Sequence, residues 1–587
     1  MAIEICVRAG SDDAFIAWSC DFLANCRGFA LRRRIKHANA GAVSPNAESG
    51  PDAEGRYIEI VASWVGFAAG PDVPAGTRQP TTVWPIQKYL WSDFAVRSGD
   101  EVAYQVTPMV GPWNALQAAT AEASGWSDTV VIGSRSTGKI SCFFNRGIVA
   151  SQWLSRLLPS VDDPKKDSTL KAKSLNAIIA KPGDTTRNFL AGPLRAEMIE
   201  LLTSANKAKS HIYAALFELD DPELIPLLTA FGKRAHVLLG NGSVKKKGED
   251  ENATARVDLK RSCTLFNRFS APRALAHNKF LVICDGNKPR RVWTGSTNWT
   301  KTGLCTQSNN GLLIDNPDLA QDYLDQWNTL RKAGDASPET LKTADETPHK
   351  TTTAKGVTLW FTPMGQSNDL EQAGALIAAA KEGILFLMFN PGPRGSLLND
   401  IIELASPASP NYNPDLYIQG VVNQNPGTAK NPVVLFNRGD KIGANADVVL
   451  PAAIDRPSKF FRRELLKLPT AHAMVHSKVV VIDPYGKHPV VMTGSHNMGP
   501  KASTVNDENF VIVEGNGALA SQYATKIMEV YNQYRWRASQ KGSKEAPRWT
   551  GLADTDHWQI GAPGADAKTV AYDKRRLREL DFWFGTR

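Results

Sequence analysis

The chain has 587 residues, which is too many for a single hydrophobic core and predicts about three or four domains. Its hydrophobic content of 42% and charged content of 22% are those of an ordinary globular protein. No apolar run reaches the roughly 18 residues that a membrane span needs. The net charge of +9 favours anionic partners, such as phosphate esters, lipid headgroups or nucleic acid, without choosing among them.

Two further features of the sequence bear on location. The N-terminal stretch MAIEICVRAGSDDAF has acidic residues where a secretory signal requires a basic start and an apolar segment. The seven cysteines, an odd number without a CxxC pair, are typical of free thiols in a reducing compartment. We therefore expect a cytoplasmic protein, and export by a dedicated secretion system stays open.

Residues 1–138 are predicted to form an all-β sandwich. Short apolar or alternating runs such as YIEIVASWV and EVAYQVTPMV are separated by Gly, Pro, Ser and Asp, which is the pattern of successive strands. Their order resembles a fibronectin type III module, with Tyr104 at the position of the corner tyrosine. Such a module would bind a protein or another target. Because the motifs described below lie outside it, we expect the sandwich to be dispensable for chemistry.

The rest of the chain is predicted to contain two similar α/β lobes. A helical bridge and linker (139–190) precedes a first series of alternating helices and strands (191–335). A polar linker (336–355) separates this series from a second one (356–540), and a C-terminal tail (541–587) follows. The alternation of strands with helices favours an α/β lobe with a largely parallel core, and it occurs twice.

A short constellation of polar residues occurs once in each lobe. The segment AHNKFLVICDGNKPRRVWTGSTNW begins at Ala276, and MVHSKVVVIDPYGKHPVVMTGSHNM begins at Met474. Each segment has His-x-Lys before one apolar run and Gly-Ser-x-Asn after another. The polar members are His277, Lys279, Ser296 and Asn298 in the first copy, and His476, Lys478, Ser495 and Asn497 in the second. The repetition predicts two halves of one site.

The His-x-Lys pairs are suited to phosphate chemistry. Positions i and i+2 of a strand point to the same face, so each histidine would face the pocket with its lysine. Lysine and asparagine donate hydrogen bonds to phosphate oxygens, while imidazole attacks phosphorus or protonates the leaving oxygen. Two lobes face to face would supply histidines on opposite sides of one phosphorus atom. No cluster of carboxylates suited to magnesium or calcium accompanies them, so we expect neither a metal nor a cofactor.

These paired motifs resemble the HxKxxxxD and GSxN motifs of the phospholipase D superfamily, over about residues 191–540. The resemblance implies metal-independent chemistry in which one histidine becomes a phosphohistidine and the other acts as acid, then as base. It also implies a supporting role for the motif aspartate, which is Asp483 in the second copy. Cys284 stands at this position in the first copy, and Asp285, one residue later, would point to the opposite face of the strand.

The resemblance also predicts contacts between the lobes. The residue eleven positions beyond the GSxN asparagine is Asn309 in the first copy and Glu508 in the second, and each would hold the histidine of the opposite lobe. Because a carboxylate stabilises an imidazolium and an amide only orients it, His277 is predicted to be the nucleophile and His476 the general acid and base. A similar acid/amide asymmetry occurs in the tyrosyl-DNA phosphodiesterase branch of the superfamily. His496, inside the second GSxN, is a further candidate for the phosphate pocket.

The substrate is predicted only as a class. Superfamily members with two lobes in one chain act mostly on lipids, which favours hydrolysis or transfer of a phosphatidyl group at a membrane surface. The basic charge supports a nuclease or another nucleic-acid phosphodiesterase as the alternative. A third alternative is a catalytically weak phosphate-binding module, for which the altered first motif is the one indication.

Overall fold

The computed structural model describes residues 2–38, 47–48, 50–133, 139–147, 151–436, 445–454, 459–464, 473–540, 549–559 and 578–585. These residues form a β-sandwich followed by two α/β lobes related by a pseudo-twofold axis, as predicted. None of the helices in the described part of the chain has the length and apolar character to cross a membrane.

The N-terminal region is a sandwich of two antiparallel sheets. Its strands are β1 (Glu4–Ala9), β2 (Ala14–Ser19), β3 (Cys26–Lys36), β4 (Tyr57–Ile60), β5 (Ala62–Ser63), β6 (Gln79–Pro80), β7 (Leu90–Asp93), β8 (Glu101–Val110), β9 (Gln117–Ala118) and β10 (Val130–Val131). One sheet has the order β1-β2-β7, and the other has the order β10-β8-β3-β4. The buried hydroxyl of Tyr104 donates to the carboxylate of Asp93 at 2.9 Å. The specific likeness to a fibronectin type III module stays a prediction.

The first lobe is built on a seven-stranded sheet with the order β11-β18-β16-β15-β12-β13-β14. Its strands are β11 (Ile140–Phe144), β12 (His211–Leu216), β13 (Ala235–Gly240), β14 (Thr264–Arg268), β15 (Lys279–Asp285), β16 (Lys288–Gly295) and β18 (Asn310–Ile314), and β17 (Gln307–Ser308) lies outside it. The helices are α1 (Gln152–Leu157), α2 (Pro164–Ile179), α3 (Thr185–Lys207), α4 (Leu224–Thr229), α5 (Ala253–Ser262), α6 (Lys301–Cys305) and α7 (Pro317–Ala333).

The second lobe repeats this arrangement in the order β19-β20-β27-β26-β25-β21-β22-β23. Its strands are β19 (His349–Lys350), β20 (Val357–Thr362), β21 (Gly383–Met388), β22 (Tyr417–Val422), β23 (Ala446–Val449), β25 (Val479–Ile482), β26 (Val490–Gly494) and β27 (Glu508–Glu514), and β24 (Met474–Val475) pairs with β17 of the first lobe. The helices are α8 (Glu339–Asp345), α9 (Asn368–Ala378), α10 (Leu397–Ala405), α11 (Pro500–Thr504) and α12 (Gly517–Ser539).

The expectation of a largely parallel core is wrong for both lobes. In the first lobe β12, β13 and β14 run parallel, whereas β15, β16, β18 and β11 pair antiparallel. The second lobe has the same mixture, with β21, β22 and β23 parallel. The reason is the short connection between Asp285 and Lys288, because a turn of this length can join only antiparallel strands.

The first lobe begins earlier in the chain than predicted. Strand Ile140–Phe144 pairs with Asn310–Ile314 at the edge of its sheet, and helix Thr185–Lys207 runs across the expected boundary at 191. The segment 139–190 is therefore part of this lobe, since its strand completes the sheet. The predicted linker 336–355 likewise contains α8 and β19, and β19 pairs with the sheet of the second lobe.

The sandwich, the lobes and the C-terminal segment share one hydrophobic core. The ring of Phe15 in β2 lies 4.1 Å from the ring of Trp583, which lies 5.4 Å from the ring of Tyr485 in the second lobe. The guanidinium of Arg8 donates to the carbonyl oxygen of Trp583 at 2.6 Å. Removing residues 1–138 would expose this core, so we expect the deletion to destabilise the lobes. That the sandwich is dispensable for chemistry stays a prediction.

We expect Phe15→Ala to lower the melting temperature. Loss of a buried aromatic ring leaves a cavity against Trp583 and typically costs about 3–5 kcal/mol. Phe94 is 48% exposed, so Phe94→Ala is the matched control and should change the melting temperature much less. Thermal unfolding followed by near-UV circular dichroism measures both variants. Equal shifts would contradict a core shared at this contact.

Candidate active site

The two His-x-Lys pairs lie at the beginning of equivalent strands, β15 and β25, and all four side chains are buried. Backbone hydrogen bonds tie each motif to the opposite lobe. The carbonyl oxygen of Ser308 accepts from the N–H groups of His476 and Ser477, at 3.0 and 2.8 Å. The N–H of Asp507 donates to the carbonyl oxygen of Leu275, at 2.9 Å. The seam between the lobes therefore positions both histidines.

The predicted side-chain contacts across the seam are present. Nδ1 of His277 lies 2.7 Å from Oε2 of Glu508, and Nδ1 of His476 lies 2.9 Å from Oδ1 of Asn309. The Asn309 amide group donates to the carbonyl oxygen of Gly303 at 2.9 Å, so its Oδ1 faces His476 as an acceptor. Each imidazole therefore donates its Nδ1–H across the seam, which leaves the lone pair on Nε2.

A second layer of hydrogen bonds crosses the seam behind the histidines. The amide of Asn310 donates to Thr493 Oγ1 and to the Tyr523 hydroxyl, both at 3.0 Å. Oδ1 of the equivalent residue, Asn509, accepts from two side chains of the first lobe, Thr294 and Tyr323, at 2.7 and 3.1 Å. These buried hydrogen bonds constrain the relative placement of the lobes, although Oδ1 of Asn310 has no partner among the described residues.

The serines of the GSxN motifs support the site from behind and do not face the pocket as phosphate ligands. Ser296 Oγ donates to Asn309 Oδ1 at 2.8 Å, and Ser495 Oγ accepts from the N–H of Asn509 at 3.0 Å. Of the asparagines of the two motifs, Asn298 is buried and Asn497 is half-buried. Oδ1 of each is buried and lacks a hydrogen-bond partner among the described residues, and the amide of Asn298 donates to Glu218 Oε2 at 2.6 Å.

A phenylalanine in each lobe, which the sequence analysis missed, packs against both members of the His-x-Lys pair. The ring of Phe217 lies 4.7 Å from the imidazole of His277 and 4.8 Å from Nζ of Lys279. The ring of Phe389 lies at the same two distances from His476 and Lys478. The sequence could have indicated both residues, because each phenylalanine directly follows the strand that pairs with the motif strand.

Burial keeps both imidazoles neutral at neutral pH. It lowers the pKa of His277 to about 4, although the charge of Glu508 opposes the change. The pKa of His476 lies well below its ordinary value, first through burial and then through the charges of Lys478 and Lys279. For Glu508, burial favours the neutral form, but the contact with His277 lowers the pKa overall and keeps a carboxylate at the seam.

The two lysines are also shifted towards neutrality. Burial lowers the pKa of Lys279 to about 7, and the charges of Glu508 and Glu218 oppose this. The pKa of Lys478 lies well below its ordinary value because of burial and then of repulsion by Lys279. Each ammonium has the carbonyl oxygen of its own motif histidine as an acceptor, at 2.5 and 2.6 Å. A bound anion would relieve this repulsion.

Asp483 supports the second lobe from within, and the expectation that His496 lines the phosphate pocket is wrong. The Asp483 carboxylate accepts from the N–H groups of residues 381–383, at 2.8, 2.7 and 2.9 Å, and so holds the turn before β21. Nδ1 of His496 accepts from the N–H of Met498, and its Nε2 lies 3.0 Å from an Asp369 carboxylate oxygen. Both ring nitrogens of His496 are therefore used inside the core, and neither can bind phosphate.

The replacement of the motif aspartate by Cys284 lies at the C-terminal end of β15. Cys284 is fully buried opposite His211 of β12, whereas Asp285 is exposed and pairs with Arg290 at 2.9 Å. Oδ1 of Asp285 also lies 3.5 Å from the hydroxyl of Ser210, in the turn before β12, and the pairing of β15 with β16 has an irregularity between Ile283 and Cys284. Because the change lies at the opposite end of β15, it leaves His277 in place.

In the described part of the chain, no three side chains of His, Cys, Asp or Glu form a group that could hold a metal ion. Residues 199–331 and 449–531 match the model of a family described as "Cardiolipin synthase, PLD-like domain". These segments, about a third of the chain, are similar to a phospholipase D-like domain. The two matched segments contain both His-x-Lys motifs, one in each lobe. No curated protein matches the chain.

Several solved structures resemble this chain distantly. Polyphosphate kinase from Porphyromonas gingivalis aligns with a TM-score of 0.38 and 11% identity, over 98% of this chain and 82% of that one. Phosphatidylserine synthase from Haemophilus influenzae Rd KW20 aligns with a TM-score of 0.38 and 12% identity, over 67% and 92%. Nuc from Salmonella typhimurium, a phospholipase D family member, aligns with a TM-score of 0.20 and 22% identity, over 23% and 87%. Likeness at this level carries no information about substrate.

Lys279→Met should raise the melting temperature. Burial lowers the pKa of Lys279 from 10.5 to about 7, so the unfolded chain binds this proton more tightly than the native protein does. The lysine therefore destabilises the native state most below pH 7, and progressively less as the pH rises towards 10. The gain in melting temperature should be clearly larger at pH 6 than at pH 9 and should vanish above pH 10.5. Lys173→Met, which changes an exposed lysine of α2, is the control, and a gain that does not depend on pH would contradict the argument.

Proposed function

We propose that this protein is a phosphodiesterase of the phospholipase D type that cleaves or transfers a phosphodiester group through a phosphohistidine. The observation that supports this most strongly is the pair of buried, neutral imidazoles, each held through Nδ1 by a side chain of the other lobe. This arrangement leaves the lone pair of Nε2 free on each imidazole. Between them, two lysines and two asparagines supply donors for the non-bridging oxygens of one phosphate.

In the first step, Nε2 of His277 attacks phosphorus and a P–N bond forms. The P–O bond to the leaving alcohol breaks, and His476 donates the proton that this oxygen needs. The charge of the bound phosphate raises the pKa of His476, so that it carries this proton in the complex. Glu508 stabilises the positive charge that His277 gains when it is phosphorylated, which the amide of Asn309 could not do.

In the second step, His476 accepts a proton from the attacking group, whose oxygen forms the new P–O bond. The P–N bond breaks, and His277 returns to its neutral form. Water as the attacking group gives hydrolysis, and an alcohol gives transfer, so the same residues serve both reactions. Lys279, Lys478, Asn298 and Asn497 hold the phosphoryl oxygens throughout, and no step requires a metal ion or a cofactor.

Phospholipid is the substrate that we propose first. The presence of two lobes in one chain supports this by analogy, and so does the description of the matching family model as a cardiolipin synthase domain. The net charge of +9 suits an anionic membrane surface, but it suits nucleic acid equally well, so a nucleic-acid phosphodiesterase stays the alternative. The intact Lys279 and Asn298 and the contact of His277 with Glu508 argue against a module that only binds phosphate.

A substrate panel tests this proposal. Purified full-length protein in excess EDTA should release headgroup from phosphatidylcholine or phosphatidylglycerol, or transfer the phosphatidyl group to an added alcohol. Single- and double-stranded DNA in the same buffer measures the alternative. Cleavage of DNA without release of headgroup from either lipid would favour the nucleic-acid phosphodiesterase. Activity that EDTA abolishes and a divalent ion restores would contradict the metal-independent mechanism.

The two histidines should behave differently towards a p-nitrophenyl diester, whose leaving group needs no proton. His277→Ala should form no phosphoenzyme, whereas His476→Ala should form one and then stall, because water needs the same residue as its base. General acid/base assistance is typically worth roughly a hundred- to ten-thousandfold, so the two results should be clearly separated.

Rapid quenching without acid, followed by mass spectrometry, identifies the labelled histidine. His488→Ala is the control. This exposed histidine lies in the turn between β25 and β26, so its loss should leave turnover unchanged. Glu508→Gln should form the phosphoenzyme more slowly than the wild type. Label on His476 in a protein that lacks His277 would reverse the assigned roles.

A further inference from the structure

A carboxylate that belongs to neither motif lies at the phosphate site. Glu218 directly follows Phe217, and its Oε2 accepts from the amide of Asn298 at 2.6 Å. Asn252 holds the backbone on either side, because it accepts from the N–H of Leu219 at 2.9 Å and donates to the carbonyl oxygen of Phe217 at 2.8 Å. The position of the Glu218 carboxylate is therefore fixed by hydrogen bonds to its side chain and to its neighbours in the backbone.

Glu218 interacts electrostatically with the ammonium groups of both lobes. Its charge acts on the pKa of Lys279 and also on that of Lys478, in each case against the lowering that burial causes. Glu508 is the other carboxylate that acts on both lysines. The second lobe has Asn390 at the equivalent position, directly after Phe389, so the extra carboxylate is not part of the repeated arrangement.

The formal charge of the site indicates how Glu218 affects the binding of anions. Burial raises the pKa of Glu218, which the charge of Lys279 opposes, and it lowers the pKa of both lysines. With neutral histidines and these side chains ionised, the charges of Lys279 and Lys478 balance those of Glu508 and Glu218, so the site without a ligand has a formal net charge of zero. A phosphodiester brings one negative charge, whereas a phosphomonoester or sulfate brings two. Repulsion by Glu218 therefore costs a dianion about twice as much binding free energy as it costs a monoanion.

We propose that Glu218 is a specificity-determining residue that makes the site select monoanionic phosphodiesters and reject dianionic phosphomonoesters and sulfate. The proposal rests on the proposed function, because it concerns the same phosphate site. It also gives a reason for a costly arrangement, since a carboxylate beside the phosphate would otherwise only weaken substrate binding.

Titration calorimetry at pH 7 tests the proposal with the full-length protein and two probes, sulfate and diethyl phosphate. In Glu218→Gln the side-chain oxygen still accepts from Asn298, so the change removes the charge and keeps the hydrogen bond. The dissociation constant for sulfate should fall roughly tenfold more than that for diethyl phosphate, as expected for unit charges a few ångströms apart near a protein surface.

Asp220→Asn is the matched control. It removes the same charge two residues away, where the carboxylate is exposed and pairs with Lys301 at 2.6 Å, so the ratio of the two constants should stay that of the wild type. An unchanged ratio in Glu218→Gln, an equal shift in Asp220→Asn, or no binding of either probe to Glu218→Gln would overturn the proposal. Because these constants are measured without turnover, they do not depend on the outcome of the phosphoenzyme experiment.

Discussion

The burial of two ammonium groups beside each other at the seam is the constraint on which the rest of the structure depends. Taken from water and placed together, Lys279 and Lys478 lose much of their affinity for protons, and only a bound anion would restore it. The protein offsets this cost with two phenylalanine rings, two histidine carbonyl oxygens and two carboxylates. The site is therefore preorganised to bind a phosphate.

Holding these charges requires that neither lobe can move relative to the other. The motif loops exchange backbone hydrogen bonds across the seam, and behind them Asn310 and Asn509 exchange buried side-chain bonds with the opposite lobe. Arg268 adds a bidentate ion pair to Asp507, which directly precedes Glu508. The hydrophobic core that the lobes share with the sandwich and the C-terminal segment adds to these contacts among the described residues.

The pseudo-twofold symmetry is broken at the positions where the chemistry requires a difference. Glu508 faces one histidine and Asn309 the other, so only His277 has a carboxylate to stabilise a positive charge. Glu218 has Asn390 as its counterpart, which places the extra negative charge on the side of the first lobe. A doubled scaffold thus supplies matching phosphate ligands, and single substitutions within it give the two histidines separate tasks.

The sequence by itself determined the doubled lobes and the motif residues, because these follow from local spacing that repeats along the chain. The contacts of Glu508 and Asn309 were implied by the resemblance to the phospholipase D superfamily. Only the tertiary structure decided the use of His496, whose two ring nitrogens are occupied by groups of the core. It also revealed Glu218, which lies 61 residues before Lys279 in the chain and acts on a lysine from each lobe. Contacts of this kind arise from packing between distant segments, and no local pattern encodes them.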